Sequence, residues 1–435
     1  MSDQGQLLPP APAHGPEVPQ PDEPRREGPS ADGASAPGVE EPPTLLQSPF
    51  LRAPERVRTI FLVTAAAAAM PLGAGLVLFG WRAGMVAALS IATCAVAERV
   101  YYRVAKVPAL LGRTHAYLTG LLLALTLPAT SPWYVPVVAG LFAIIVGKAV
   151  FGGVGHFLWQ PALVGRLAVA VLFASTLNPS EWPVLAQDRL FWGDAREARS
   201  VDDFRQWAGR PAPPGADAFL LPAPADTLAG LTRMDEPPFS ALAFLPDPNA
   251  VPRARPTLLR RLPPIGDLLI GARGGGLGET CILVIVLGGL YLVYRNYVKW
   301  QLPVSMLAAA AVVAAAAPIR LAGPGDLAVT VWWPALAAAP EVALLYVCYQ
   351  LFSGGLFLAA FFLAPEMTSR PVTTYGQVVF GLSCGAAAML LQLYVETPIP
   401  AYVAVLAMNT FTPLIEALCR PRVLGRRRLA WLRGA

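Results

Sequence analysis

The residues of this sequence best able to do chemistry are acids embedded in apolar runs. Glu98, Glu341 and Glu416 each lie within or at the end of such a run. An acid at the centre of a membrane-buried helix costs about 2.5–3.5 kcal/mol on insertion scales, so one kept there is a candidate for carrying an ion. All three sit near the predicted ends of their runs, where snorkelling or a neighbouring arginine lowers that cost. Glu98 adjoins Arg99 and Glu416 lies close to Arg420, so simple pairing is the competing reading. Cys94, Cys281, Cys348, Cys384 and Cys419 show no CxxC spacing and lie in or beside apolar segments. That pattern predicts buried small hydrophobes rather than disulfides, a zinc site or an iron–sulfur cluster. His14, His115 and His156 are too scattered to form a metal-ligand set by spacing. The glycine-rich stretch Gly271–Thr280 lacks a surrounding βαβ unit and runs directly into an apolar segment, so it is not read as a dinucleotide loop. It predicts a loop packed against the start of the following helix, with Glu279 serving that helix's first turn.

The elements that must position these residues are membrane helices. Only 14% of the 435 residues are charged, 55% are apolar, and the mean hydropathy is +0.51. A soluble domain carries about 25% charged residues. The net charge of +5 does not mark a nucleic-acid binder, because the basic residues stand in short clusters between apolar runs. Residues 1–47 are rich in Pro, Gly, Ala and Glu and read as a disordered cytoplasmic tail, not a signal peptide. About 20 helical residues cross a bilayer core of about 30 Å. Five candidate spans fall at 59–80, 84–101, 116–130, 134–150 and 161–177, and five more at 279–296, 302–319, 341–364, 376–394 and 400–418. The fold class expected is an all-α polytopic membrane protein of about ten transmembrane helices.

Short loops on the cytoplasmic side keep an excess of Lys and Arg. Arg52, Arg56 and Arg58 precede the first span, and Arg99, Arg103, Lys106 and Arg113 follow the second. Lys148 closes the fourth, Arg295 and Lys299 close the sixth, Arg370 follows the eighth, and six arginines stand between Arg420 and Arg433. All fall on one side if both termini are cytoplasmic; the short loops opposite hold only Arg82. Residues 178–278 then form a Pro-rich, loop-dominated extracytoplasmic insertion between a first membrane half at 48–177 and a second at 279–419. A basic cytoplasmic tail, 420–435, follows. Trp332-Trp333 and Trp133-Tyr134 lie at the predicted outer boundary and read as an interfacial aromatic belt.

Five spans in each half make the halves enter from opposite faces, the arithmetic of an inverted repeat. The third spans look related, Thr119-Gly120-Leu121-Leu122-Leu123-Ala124-Leu125 against Gly354-Gly355-Leu356-Phe357-Leu358-Ala359-Ala360. Glycines there either interrupt the helix and line a site or only permit close packing, and both readings stand at this point.

The densest family-like stretches are Thr119–Leu125 with Leu127-Pro128, Ile145-Val146-Gly147-Lys148, Phe151-Gly152-Gly153-Val154-Gly155 and Pro161–Arg166. Others are Gly278-Glu279-Thr280, Gly288-Gly289, Pro303-Val304-Ser305, Ser353-Gly354-Gly355, Asn409 and Pro413-Leu414-Ile415. Through them, from about Ser48 to Leu424, the chain resembles the RnfD/NqrB family. Its members are membrane subunits of the Rnf electron-transport complex and of the Na+-translocating NADH:quinone reductase. The resemblance implies a component of an ion-translocating oxidoreductase of the bacterial inner membrane, with no complete active site on this chain. The partners implied are other Rnf-type membrane and peripheral subunits, a flavin transferase and the lipid bilayer.

The resemblance further implies FMN joined through its phosphate to a threonine hydroxyl on the extracytoplasmic side, at a motif of the type Asp-x-x-Ser/Thr-Gly-Ala-Thr. Here that stretch is Asp226-Thr227-Leu228-Ala229-Gly230-Leu231-Thr232, with Asp226, Gly230 and the acceptor Thr232 at the family spacing. Gly230 would let a second protein approach the backbone closely. Ala229 stands in place of the usual hydroxyl residue, Leu231 in place of alanine, and Arg233 where proline is common. Other departures are Arg113-Thr114-His115-Ala116 for Asp-Gly-Ser-Ala, Phe157 and Gln160 for asparagines, and Pro365-Glu366-Met367 for Thr-Asp-Pro. They put in question any second, non-covalent flavin, quinone or ion site carried over from the family. Two other functions fit the same architecture: a secondary transporter, and a structural subunit of the same family without flavin.

Overall fold

In a computed structural model of the chain, the described residues are 57–106, 114–153, 155–177, 182–185, 198–199, 218–221, 265–271, 273–322, 328–333, 340–395 and 397–419. The flavin-attachment stretch expected at Asp226, Gly230 and Thr232 lies outside them, as do the two terminal tails.

The chain is a helical, multi-pass membrane protein. The main helices before the long interval are α1 (Val57–Phe79), α2 (Trp81–Ala105), α3 (Thr114–Thr126), α4 (Tyr134–Ile144) and α5 (Pro161–Leu172). The π-helical turn Ile145–Ala149 extends α4, and the short α6 (Ala174–Leu177) follows α5. After it come α7 (Ile265–Ile270), α8 (Ile282–Tyr294), α9 (Gln301–Ala316), α10 (Pro340–Phe352), α11 (Leu356–Leu358), α12 (Thr374–Tyr394) and α13 (Pro400–Leu418). A second π-helical turn, Ala359–Leu363, extends α11. Among the described residues, α1, α2, α12 and α13 are each long and apolar enough to cross a bilayer alone. Leu344–Phe352 and Leu356–Leu363 pass the same test together, bent by 68°.

Local sequence accounts for several helix ends. Pro161 opens α5, and the Gln160 side chain accepts a hydrogen bond from the Ala162 N–H at 2.7 Å. Thr373 caps α12 by accepting from the Gly376 N–H at 3.1 Å. Pro400 sets the first turn of α13.

An all-α chain with a loop-dominated insertion is expected, and the structure adds two small sheets. In the insertion, β1 (Trp182–Leu185) pairs antiparallel with β3 (Ala218–Leu221), which pairs in parallel with β2 (Ala198–Arg199). Between α9 and α10, β4 (Ile319–Ala322) and β5 (Ala328–Val331) form an antiparallel ladder from Ile319 opposite Val331 to Ala322 opposite Ala328. Four-residue apolar runs such as Trp182–Leu185 are too short to repeat a helical face but suit a strand.

Small residues set the helix spacing. Lipid gives helices no hydrophobic drive toward one another, so packing rests on close backbone approach. Gly381 and Gly385, four residues apart on one face of α12, meet α9. A methyl group on Gly385 would fall 2.0 Å from the Met306 carbonyl oxygen. Gly120 decides one of the two readings left open by its sequence. It lies inside an uninterrupted α3, and a Cβ there would stand 2.6 Å from Ile91 Cα of α2, so its role is packing. Gly354 and Gly355 occupy the break between α10 and α11. The two glycine sites that look alike in sequence therefore differ in structure.

Gly385→Ala is expected to lower stability by about 1–3 kcal/mol through overpacking. Gly73→Ala, where nothing lies within 4 Å of the added carbon, should leave it unchanged or slightly raised. Thermal unfolding of the detergent-solubilised protein reads both.

Candidate functional site

Two buried polar clusters stand among the apolar helices. The first is centred on Lys148, which the π-helical turn after α4 directs inward while Ile145, Val146 and Val150 remain exposed. Its ammonium donates to Glu98 Oε1 of α2 at 2.7 Å and lies 3.2 Å from His115 Nδ1 of α3. Thr119, one turn on, donates to the His115 carbonyl at 2.9 Å, with its hydroxyl 3.2 Å from Nδ1. His115 Nε2 stands 3.6 Å from Glu366 Oε1, which the chain supplies just beyond α11. The imidazole is walled by Phe61 of α1, edge-on at 5.0 Å, and by Phe157 at 5.5 Å. All four are buried, Glu366 the least so at 8% exposure.

Hydrogen bonding fixes the roles in this cluster. An ammonium has three donors and no acceptor, so Lys148 donates to Nδ1 and the imidazole proton resides on Nε2, facing Glu366. The arrangement can hold a proton and hand it along; it supplies no nucleophile. Among the described residues no group of three or more His, Cys, Asp or Glu is placed to hold a metal ion.

The second cluster forms around the loop 273–281. Arg273 donates to the carbonyls of Phe352 and Glu279 and, at 3.3 Å, to that of Gly354. The Glu279 carboxylate accepts from the Tyr402 hydroxyl of α13 and from the Gly276 N–H at 3.1 Å. Leu277 and Gly278 donate their N–H groups to the carbonyls of Leu127 and Leu125, both at 2.8 Å, closing the end of α3. Arg166 of α5 donates to the Thr126 carbonyl at 3.0 Å. Beside the helix break, the Gln392 amide lies 2.9 Å from Gln350 Oε1 and 3.1 Å from Ser353 Oγ. Asn409 of α13 is fully buried with neither amide atom hydrogen-bonded among the described residues, which suits it to a bound group.

These positions correct several readings of the sequence. Glu98 is buried and paired with Lys148, not with Arg99 at a helix end, because α2 continues to Ala105. Glu279 does not serve the first turn of α8, which starts only at Ile282; its carboxylate turns to Tyr402 and Gly276. Glu416 accepts from the Val372 N–H at 2.9 Å, while Arg420, its expected partner, lies outside the described residues. The Glu341 side chain lies outside the described residues. The expectation for the cysteines agrees at Cys94, Cys281 and Cys384, which are buried, while Cys348 and Cys419 are half-buried. Trp133, Trp332 and Trp333 are exposed, as interfacial residues would be. Missed in the sequence were Lys148, read only as an orienting charge, and Arg273, hidden in a glycine-rich run. Glu366 was marked as a departure without a partner.

Lys148→Met should cost about 3–5 kcal/mol by leaving the Glu98 carboxylate buried and unpaired. Combining it with Glu98→Gln should recover much of that loss. Chemical unfolding of the four proteins of the double-mutant cycle in detergent measures the coupling.

Residues 44–425 match the family model described as the NQR2, RnfD, RnfE family. The chain is 32% identical over 391 residues to the D subunit of the ion-translocating oxidoreductase complex of Halorhodospira halophila, covering 88% of this chain and 96% of that protein. It is 28% identical to the D subunit of the proton-translocating ferredoxin:NAD(+) oxidoreductase complex of Clostridium ljungdahlii, covering 88% and 97%. It is 27% identical to the D subunit of the Na(+)-translocating ferredoxin:NAD(+) oxidoreductase complex of Acetobacterium woodii, covering 88% and 95%. A match running through every described helix, with relatives aligned over nearly their whole length, means that this chain belongs to the NQR2, RnfD, RnfE family.

Proposed function

We propose that this chain is the membrane subunit of an Rnf-type complex that couples electron transfer to ion movement across the bacterial inner membrane. The observation that carries this reading is the family match over 44–425, together with relatives named as D subunits of ion-translocating oxidoreductases. A helical membrane body whose buried polar groups lie between helices suits such a role. Electron donors and acceptors belong to companion subunits, since this sequence holds no nucleotide-binding or iron–sulfur motif.

The finer topology belongs to the same reading. Helical segments occur at each of the ten apolar runs, five before the long interval and five after it. Ten crossings in two inverted five-helix halves, with both termini cytoplasmic, keep the short basic loops on one side. The π-helical extensions and the bent α10–α11 pair let segments shorter than about 20 residues belong to crossings, with irregular backbone held inside the protein.

The cofactor proposed is FMN, held as a phosphoester on Thr232 and placed there by a flavin transferase. Flavin supplies one- and two-electron transfer, which no side chain of this chain provides. Support comes from Asp226, Gly230 and Thr232 at the family spacing, in the insertion between the two halves. The departures at Ala229 and Leu231 favour one second reading, a structural subunit of the same family without flavin.

Protein isolated from cells containing the transferase should give a tryptic peptide carrying an FMN-sized adduct on Thr232, lost in Thr232→Ala together with the in-gel flavin fluorescence. An unmodified Thr232 peptide, with complex turnover unaffected by Thr232→Ala, would establish the flavin-less subunit instead.

A further inference from the structure

The relatives differ in the cation they are named for, one moving protons and another sodium, so resemblance does not decide which ion this chain handles. The Lys148 cluster does. Hard cations are bound by several oxygen ligands at once. An ammonium and an imidazole stand at the centre of this cluster, and they present N–H donors where a metal cation would need oxygen lone pairs. Glu98 Oε1 accepts from Lys148 at 2.7 Å, so the ammonium already offsets the carboxylate charge that would draw in a metal cation. The oxygens left over, Glu98 Oε2 and the Thr119 hydroxyl, are too few for a shell of about six oxygen ligands.

We propose that Lys148, His115 and Glu366 form a proton relay, with Glu98 holding the Lys148 ammonium in place and Glu366 as the end that exchanges with water, and that the cation handled there is H+ and not Na+. Two independent observations carry it. His115 Nε2 is buried and has no hydrogen bond among the described residues, while a carboxylate oxygen of Glu366 lies 3.6 Å away. And the four groups stand in sequence from α2 through the turn after α4 and α3 to the segment after α11, walled by Phe61 and Phe157. The 3.6 Å from His115 to Glu366 is the one link that must shorten for a proton to pass. Aromatic walls keep bulk water from short-circuiting such a path.

One step moves one proton. Lys148 Nζ–H passes its proton to His115 Nδ1, breaking one N–H bond and forming another. His115 Nε2–H passes its proton to Glu366, breaking the second N–H bond and forming one O–H bond. Lys148 ends as a neutral amine, His115 as the other neutral tautomer, and Glu366 as a carboxylic acid. The summed charge of the four groups is unchanged and no electrons are transferred. The reverse step restores the start, and exchange with water takes place at Glu366. Other titratable and charged groups facing the cluster are Cys94 and Tyr102 of α2, beside Glu98, and Arg370, beside Glu366. Arg370 is anchored elsewhere, donating to the Tyr297 carbonyl at 3.3 Å, and does not close an ion pair with Glu366.

This inference deepens the proposed function, but its test needs only the purified full-length chain in lipid nanodiscs. Infrared difference spectra across a pH titration should contain a carboxylic-acid C=O band that shifts in D2O. It should be absent in Glu366→Gln, retained in Glu366→Asp, and displaced in midpoint in His115→Gln. Replacing KCl by NaCl at constant ionic strength should leave the wild-type titration unchanged. A sodium-dependent displacement, or a titration that ignores Glu366→Gln, would overturn the relay. Loss of electron transfer in a reconstituted complex would count against the Rnf-type reading alone and leave the titration standing.

Discussion

A helix broken inside hydrocarbon presents carbonyls that water cannot reach, and each one left bare costs several kcal/mol. Here the break between α10 and α11 is sealed by Arg273, whose guanidinium takes the Phe352 and Gly354 carbonyls on one side and that of Glu279 on the other. The same loop closes the end of α3 through the N–H groups of Leu277 and Gly278. Glu279 then fastens the loop to α13 through Tyr402. One short, glycine-rich segment therefore satisfies two helix ends drawn from different halves of the sequence. Gly276 and Gly278 allow it to lie that close: side chains there would collide with Glu279 and Leu125.

How much of this could be read beforehand follows from the physics of each feature. Helical segments are local, because an apolar run declares itself, and helix occurs within each of the ten predicted ranges. The range 341–364 is nevertheless broken into two pieces bent by 68°, and among the described residues four helices are long enough to cross a bilayer alone. The small sheets escaped, since four-residue runs such as Ala218–Leu221 carry too little periodicity beside a membrane helix. Pairing is not local at all. Glu98 and Lys148 are separated by two apolar segments, and nothing in either neighbourhood names the other. Arg99 misled for the same reason: adjacency in sequence stood in for adjacency in space. Arg273 was invisible because its partners are backbone carbonyls, which every residue possesses.

The family resemblance was most informative where it failed. His115, Phe157 and Glu366, legible in the sequence only as departures from the resemblance, lie far apart in the chain. In the structure they meet, with Phe157 packed on the imidazole and Glu366 facing its Nε2. Positions far apart in the chain thus converge on one imidazole, and Lys148, in one of the stretches that carry the resemblance, stands at its other nitrogen.

The π-helical turn at Ile145–Ala149 carries an implication for the history of this segment. Such a turn accommodates one residue more than an α-helix of the same rise, and it is commonly found at functional sites. Removing that residue would rotate the chain beyond it by about 100° relative to α4. The ammonium would swing from the company of Glu98 toward the acyl chains. The register of α4 and the inward aim of its lysine are thus a single inheritance, and a shortened descendant would lose both at one stroke.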